Sequence, residues 1–300
     1  MERFAHFDLN SNLMSVRENP YPYLVQGVLD LPEDFQRVIQ ALLKPEDSVN
    51  SILMLPTQLY LKRGGVPRQA LLSTSRGLMH IEDGRPPIAT YLLCESLLYV
   101  QHISILLYGR LEIVGEIDNK PVRLVAEYHT AGQELLKTAL RRFLSLSYDT
   151  LNPDKTFVDQ NDAILEKLSE QSFKFLNALR LDALQPGEQL LGYVFQPRIK
   201  EPFLHYFTRP IASASLFALT SQAVILIEES NATGASYGWV MTLSPRKVLL
   251  AVERRPMQEW EMLVVILLKG SLSEERSLIL ERKTALACFP SGQAKLQGRI

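Results

Sequence analysis

Leu71-Leu72-Ser73-Thr74-Ser75-Arg76-Gly77-Leu78-Met79-His80-Ile81-Glu82-Asp83 has a second version further along the chain. That version is Phe217-Ala218-Leu219-Thr220-Ser221-Gln222-Ala223-Val224-Ile225-Leu226-Ile227-Glu228-Glu229. The Thr-Ser and Ile-Glu pairs coincide at an offset of 146, from Thr74 to Thr220, and the apolar positions follow. Upstream, Leu43-Lys44-Pro45-Glu46-Asp47 through Pro56 matches Leu184-Gln185-Pro186-Gly187-Glu188 through Pro197. There both prolines keep an offset of 141. Two matches in one order, at nearly one offset, point to an internal duplication. The period is too long for a solenoid, so the expected units are two copies of a domain.

Around the repeated stretch the first copy reads as short strands. Ser51–Leu55, Gln69–Ser73, Gly77–Ile81, Ile88–Leu93, Leu97–Leu107, Leu111–Ile117 and Val122–Tyr128 are apolar or β-favouring runs between turn residues. Asp118-Asn119-Lys120-Pro121 reads as a hairpin break. Thr130 and Gln133 have capping-box spacing, and Leu136, Ala139, Leu140, Phe143 and Leu144 fall on one face of the helix that follows. The second copy repeats the strands as Ser215–Leu219, Ala223–Ile227, Tyr237–Leu243, Lys247–Glu253, Trp260–Leu268 and Ser277–Arg282. Its remaining tail holds Pro290 and Gly292, which argues against a closing helix. A helix precedes each copy. Glu33–Leu43 has Phe35, Val38, Ile39 and Leu42 inward, and Asp162–Leu181 has the stripe Leu165, Leu168, Phe175, Leu176 and Leu179. The second helix stands where it could cover the place of the missing one.

The expected fold class is therefore mainly β with helices (α+β). The division is an extension with one helix over 1–47, a first domain over 48–148, a helical linker over 149–184, a second domain over 185–291, and a tail over 292–300. Composition agrees with this: 300 residues, 46% hydrophobic and 22% charged, describe an ordinary globular chain of about two domains. A net charge of −1 gives no global drive toward nucleic acid, so an electrostatic partner needs a local patch. Met1–Asp8 lacks the pattern of a signal peptide, and the apolar run Met262–Leu268 is too short to span a bilayer. The expected location is the cytoplasm. Cys94 and Cys288 lie far apart in apolar segments and read as buried thiols.

Seven strands followed by one helix is the order of a pleckstrin-homology-like (PH-like) domain. The resemblance is closer to bacterial PH-like domains, whose second and third strands meet at a Thr-x-x-Arg turn. Ala70-Leu71-Leu72-Ser73-Thr74-Ser75-Arg76-Gly77-Leu78 resembles that turn, with the arginine one place early and Gly77 in the family's arginine position. Tyr108-Gly109-Arg110-Leu111-Glu112-Ile113 resembles a glycine-led strand entry, and the second copy has Gln222 in the arginine's place. The resemblance implies two partly open seven-stranded barrels, the first closed by its helix, in a bacterial protein of the cytosol. PH-like folds host many unrelated roles, so the fold alone does not choose a function.

The residues show no enzyme signature. His6, His80, His102, His129 and His205 have no metal-ligand spacing, no cysteine pair joins them, and no Gly-x-Ser-x-Gly elbow occurs. Asp159-Gln160-Asn161-Asp162 starts like a calcium loop but continues with Ala163 and Ile164 where ligand and glycine are needed. It reads as a helix start. No cofactor or metal is expected. The sharpest candidate is the basic segment Lys62, Arg63, Gly64, Gly65 and Arg68, between the first two strands. In lipid-binding pleckstrin-homology domains this loop carries cations that grip inositol phosphates, and glycine amides beside Arg and Lys suit an anion. A solvated turn explains the same residues. Phe203, Leu204, His205, Tyr206 and Phe207 form an aromatic stretch suited to a partner or to packing between the copies. The expected function is a non-enzymatic interaction or scaffold protein that binds a protein or peptide, by strand addition or groove docking. The alternatives are peripheral binding to anionic lipid at the inner membrane face through the basic segment, and an enzyme with a pocket of dispersed residues.

Overall fold

The computed structural model describes residues 21–60, 64–148, 158–203, 207–230, 238–257 and 259–281. The chain is mainly β with a few helices. Among the described residues every strand pairing is antiparallel, and no sheet closes on itself.

The N-terminal half opens with a three-residue strand that the sequence did not announce, β1 (Tyr23–Val25), and helix α1 (Glu33–Leu42). Strand β2 (Val49–Leu55), the small hairpin β3 (Gln58–Tyr60) and β4 (Gly64–Val66), and strands β5 (Gln69–Thr74), β6 (Gly77–Glu82) and β7 (Ile88–Leu93) follow. These make a five-stranded sheet in the order β1-β2-β5-β6-β7. β5 and β6 are apolar on both faces because both faces are covered. Phe35 and Ile39 of α1 pack on Ile52, Met54, Ala70, Leu72, Met79 and Ile81 on one side. Leu53, Leu55, Leu71, Leu78 and Leu92 point to the other. Leu42, expected inward, is exposed at the end of α1.

A turn at Cys94–Ser96 leads into β8 (Leu97–Ile105), β9 (Tyr108–Ile117) and β10 (Lys120–His129), then helix α2 (Gln133–Ser147). β8 stops two residues before the expected Leu107, since Leu106 takes a positive φ of 51° in the turn. The Asp118-Asn119 hairpin is a turn with φ of 50° and 59°, a conformation these two side chains tolerate. α2 sets Leu136, Leu140, Phe143 and Leu144 against the inner face of both sheets. Thr130 does not cap it. Its hydroxyl donates to the Leu106 carbonyl at 2.7 Å, and His129 Nδ1 accepts the Ala131 amide instead.

The second half begins with α3 (Val158–Gln171), α4 (Phe173–Asn177) and a π turn over Ala178–Ala183. Ser172 separates the first two and caps α4 by accepting the Phe175 amide. Strand β11 (Leu190–Gln196), the hairpin β12 (Ile199–Phe203) and β13 (Phe207–Ala212), and strands β14 (Ser215–Thr220), β15 (Ala223–Glu229) and β16 (Gly238–Pro245) come next. After a turn at Arg246–Val248 the chain forms β17 (Leu249–Met257), β18 (Trp260–Lys269) and β19 (Leu272–Glu281). From Cys94 and Arg246 onward the turn and three strands of each half keep one spacing of 152 residues. Even the irregularity recurs. β8 bulges at Leu98, between Leu97 and Tyr99, and β17 bulges at Leu250, between Leu249 and Ala251.

The halves share a sheet. β16 pairs with β8 from Gly238↔Ile105 to Leu243↔Val100, giving a seven-stranded sheet in the order β10-β9-β8-β16-β15-β14-β11. Leu165, Leu168, Phe175 and Leu179 pack on Leu216, Ala218, Ile225 and Ile227 of this sheet. The helical segment before the second half therefore covers the outer face of β14 and β15, as α1 covers β5 and β6. It does not fill the place of a closing helix. On the opposite face, Val194, Phe217, Leu219, Val224 and Leu226 meet Leu263, Val265, Leu278 and Leu280 of the three-stranded sheet β17-β18-β19. Leu98, Tyr99 and Val114 of the N-terminal half enter that core.

Candidate interaction surfaces

The two segments singled out in the sequence fall at the hairpins β3–β4 and β12–β13. Lys62 and Arg63 stand between β3 and β4 and lie outside the described residues. Gly64 opens β4, and Gly65 pairs with Leu59. In the other half β12 and β13 end on the pair Phe203↔Phe207. Leu204, His205 and Tyr206 lie outside the described residues.

Arg68, at the base of the first hairpin, is committed to the fold. Its Nη2 donates to Asp83 Oδ2 at 3.1 Å, and its guanidinium lies 5.2 Å from the centre of the Phe35 ring. It also lines an open cleft of about 630 Å³ with Tyr23, Leu24, Asp30, Pro32 and Met54. Leu24 on the cleft wall is exposed, and so is Leu29, next in the chain to the lining residue Asp30, to 81%. No local pattern gives the cleft away, because β1, α1 and β5 meet only in the folded protein.

Burial shifts several titratable groups of the core. His102 Nε2 shares a short hydrogen bond with the Tyr128 hydroxyl. Burial holds this imidazole down at about 4, helped by the Lys137 charge against a weaker pull from Asp182. The cavity it faces, lined also by Lys137, Arg141, Asp182 and Met241, has a volume of about 30 Å³. That is room for about one water. Lys137 is held by Asp182 at 2.6 Å and Glu134 at 2.8 Å, and Arg141 donates to the Leu181 carbonyl at 2.8 Å. His80 is buried in the middle of β6, and desolvation takes it to about 4. Burial pushes the Cys94 thiol up to about 11, which makes it a poor nucleophile. His6, His205 and Cys288 lie outside the described residues. Among the described residues no three His, Cys, Asp or Glu side chains converge as metal ligands, and no helix is long and apolar enough to cross a membrane.

The turn that resembles the family motif is built the same way in both halves. Thr74 Oγ1 accepts the Gly77 amide at 2.9 Å, and Thr220 Oγ1 accepts the Ala223 amide at 2.7 Å. Ser75 donates its amide to the Ser48 carbonyl at 2.9 Å, as Ser221 does to Gln189 at 2.8 Å. Arg76 Nε reaches Asp47 Oδ1 at 2.6 Å. With Gln222 in the arginine's place, Glu188 takes over, and its longer side chain accepts the Thr220 hydroxyl directly. A Cβ at Gly77 would collide with the Leu92 carbonyl. Gly109 likewise lies under the Tyr128 ring.

No protein-family model matches the chain, and no curated protein matches it.

Proposed function

We propose that the chain is a non-enzymatic interaction or scaffold module of two tandem PH-like units that binds a protein or peptide. The PH-like reading is supported by the four-plus-three strand sequence in each half, by the α2 helix after the first, and by the shared Thr74 and Thr220 turns. Internal duplication accounts for the constant spacing of 152 residues over the last three strands of each half. The bacterial cytosol as its setting rests on the family resemblance.

The observation that carries the functional reading is the 630 Å³ cleft at β1 with exposed Leu24 on its wall and exposed Leu29 next in the chain to its lining residue Asp30. It combines an open concavity with exposed apolar groups. The enclosed cavity at His102 is too small for a substrate. The lipid reading is weakened by Arg68, whose charge is matched by Asp83.

A photo-crosslinking amino acid at Leu24 or Leu29, with Leu268 as an exposed control on the three-stranded sheet, tests the reading in cells. The expected result is a discrete adduct from the first two positions that Leu268 does not give. No adduct at Leu24 or Leu29 in a folded protein would overturn it. Salt-sensitive liposome binding, lost in Lys62→Ala/Arg63→Ala, would transfer the function to anionic lipid.

A further inference from the structure

Strand β7 is open along one edge. Among the described residues it pairs only with β6. The Cys94 amide donates to the Arg76 carbonyl at 2.8 Å, and hydrogen-bonded pairs alternate along an antiparallel ladder. With the register running from Gly77↔Leu93 to Glu82↔Ile88, the amides of Ala89, Tyr91 and Leu93 therefore point away from β6. At the spacing of 152 residues, Ala89 and Tyr91 correspond to Met241 and Leu243 of β16. Those two residues meet His102 and Val100 of β8. The edge that takes a strand in the second half takes none in the first among the described residues.

The reciprocal edge is different. β17 holds the place of β8, and among the described residues it pairs only with β18. Where β8 has Gln101, His102, Ile103 and Ser104, β17 has Glu253, Arg254, Arg255 and Pro256. Arg255 is tied to Glu253 at 2.9 Å and to Glu275 at 3.1 Å. Charges and a proline along an edge discourage a further strand. Head-to-tail growth through β17 and β7 is thus blocked. β7 has no such protection. It is uncharged from Ile88 to Leu93, Ile88 is 67% exposed, and its far end opens on a cleft of about 290 Å³ between Leu93 and Leu146.

We propose that β7 is a homodimerisation edge, at which two copies of the chain pair antiparallel about a two-fold axis and join their five-stranded sheets. An isologous contact sets the same strand against itself, and on β7 no like charges would meet. A second copy is the occupant because the fold already closes the matching edge with a strand of its own kind, while its other outward edge is blunted. Ala89 and Tyr91 pack at the margin of the core under α1, and the pairing continues that apolar face across the axis while covering Ile88. This inference builds on the interaction-module reading. A monomeric protein would remove the dimer and leave the crosslinking result at Leu24 and Leu29 untouched.

Sedimentation of the full chain over a wide concentration series tests it, with Ala89→Pro and Ile88→Lys as variants. Ala89→Pro deletes an outward amide without removing a bond to β6, and Ile88→Lys places a charge on the paired edge. The wild type is expected to form a dimer that dissociates on dilution. Each variant should weaken self-association by about tenfold or more, with an unchanged circular dichroism spectrum. If Ala89→Pro does not fold, Ile88→Lys decides alone. A wild type that stays monomeric at every concentration, or a dimer that both variants leave intact, overturns the proposal. So does a monomer that takes up a synthetic Leu97–Ile105 peptide at this edge, since the edge would then serve a foreign strand.

Discussion

Asp47 and Glu188 occupy the same place in the two halves, and their carboxyls are shifted in opposite directions. Each accepts the amide three residues before it, Lys44 at 3.1 Å and Gln185 at 2.8 Å. Burial raises the Asp47 carboxyl, but the Lys44 amide and Arg76 outweigh it, and the group lies below the ordinary range. Glu188 is lifted by burial, which Thr220 and the Gln185 amide offset only in part. A depressed carboxylate contributes stability above its unfolded pKa that is lost as pH falls. A raised one works the other way: the folded state keeps a proton the unfolded chain releases, so stability declines as pH rises from the unfolded value toward the folded one. Urea titrations between pH 3 and 7.5 should show the deficit of Asp47→Asn shrinking toward acid. The deficit of Glu188→Gln should shrink toward neutrality. Parallel slopes would contradict the two assignments.

His80 takes the position that Leu226 holds in the other half, and its Nε2 has no hydrogen-bond partner among the described residues. With its folded pKa near 4 and the ordinary value at 6.5, the native state binds fewer protons in that interval. Stability is then complete above pH 6.5 and falls as pH drops toward 4. His80→Leu should remove the loss, with a gain that reaches on the order of 3 kcal/mol at the acid end. Thermal melts at pH 7 and pH 4.5 measure it. A variant no more acid-resistant than wild type would exclude His80 as a source of acid lability.

Gly270 turns the β18–β19 hairpin at a φ of +54°, and a Cβ there would run into the Glu116 carboxylate of the other half. That carboxylate accepts the Ser271 amide at 3.0 Å and the Leu272 amide at 3.3 Å. Gly270→Ala therefore adds a clash to a backbone cost of about 1–2 kcal/mol, and it should lower the melting temperature more than Glu116→Ala does. Equal effects would mean that the turn relaxes around the methyl group.

Leu98 is fully buried in the core of the second half, while Leu250, its counterpart at the second bulge, is 38% exposed. Leu98→Ala should cost about 2–5 kcal/mol, and Leu250→Ala far less. Because β8 and β16 are neighbours in one sheet, unfolding followed by Trp239 and Trp260 fluorescence and by circular dichroism should superimpose as one transition. A second transition that survives Leu98→Ala would show that the halves unfold apart.

Much of the strand order could be read from the chain because its signals are local. The Thr74 and Thr220 turns, the positive-φ pair Asp118-Asn119, and the stripe of Leu136, Leu140, Phe143 and Leu144 each sit within a few residues of what they determine. The interaction surfaces could not be read in the same way. The partner of β8 lies 141 residues away, from Gln101 to Thr242, and no periodicity encodes which distant edge a strand will meet. The helical stripe from Leu165 to Leu179 told that a face is buried but not against what. Thr130 had capping-box spacing, yet its hydroxyl found the Leu106 carbonyl first. The cleft at β1 depends on Arg68 turning toward Asp83 and Phe35, which is a tertiary choice.

The seam between β8 and β16 also sets a schedule for the chain's birth. A ribosome adding about 5–20 residues per second needs on the order of 10–30 s to travel from β8 to β16. Through that interval the finished N-terminal half carries a bare Val100–Ile105 edge, and Leu98 lacks the core that later encloses it. A nascent chain so exposed is a client for chaperones, and any pause in translation near residue 150 lengthens the period in which its strands can join a neighbour's instead.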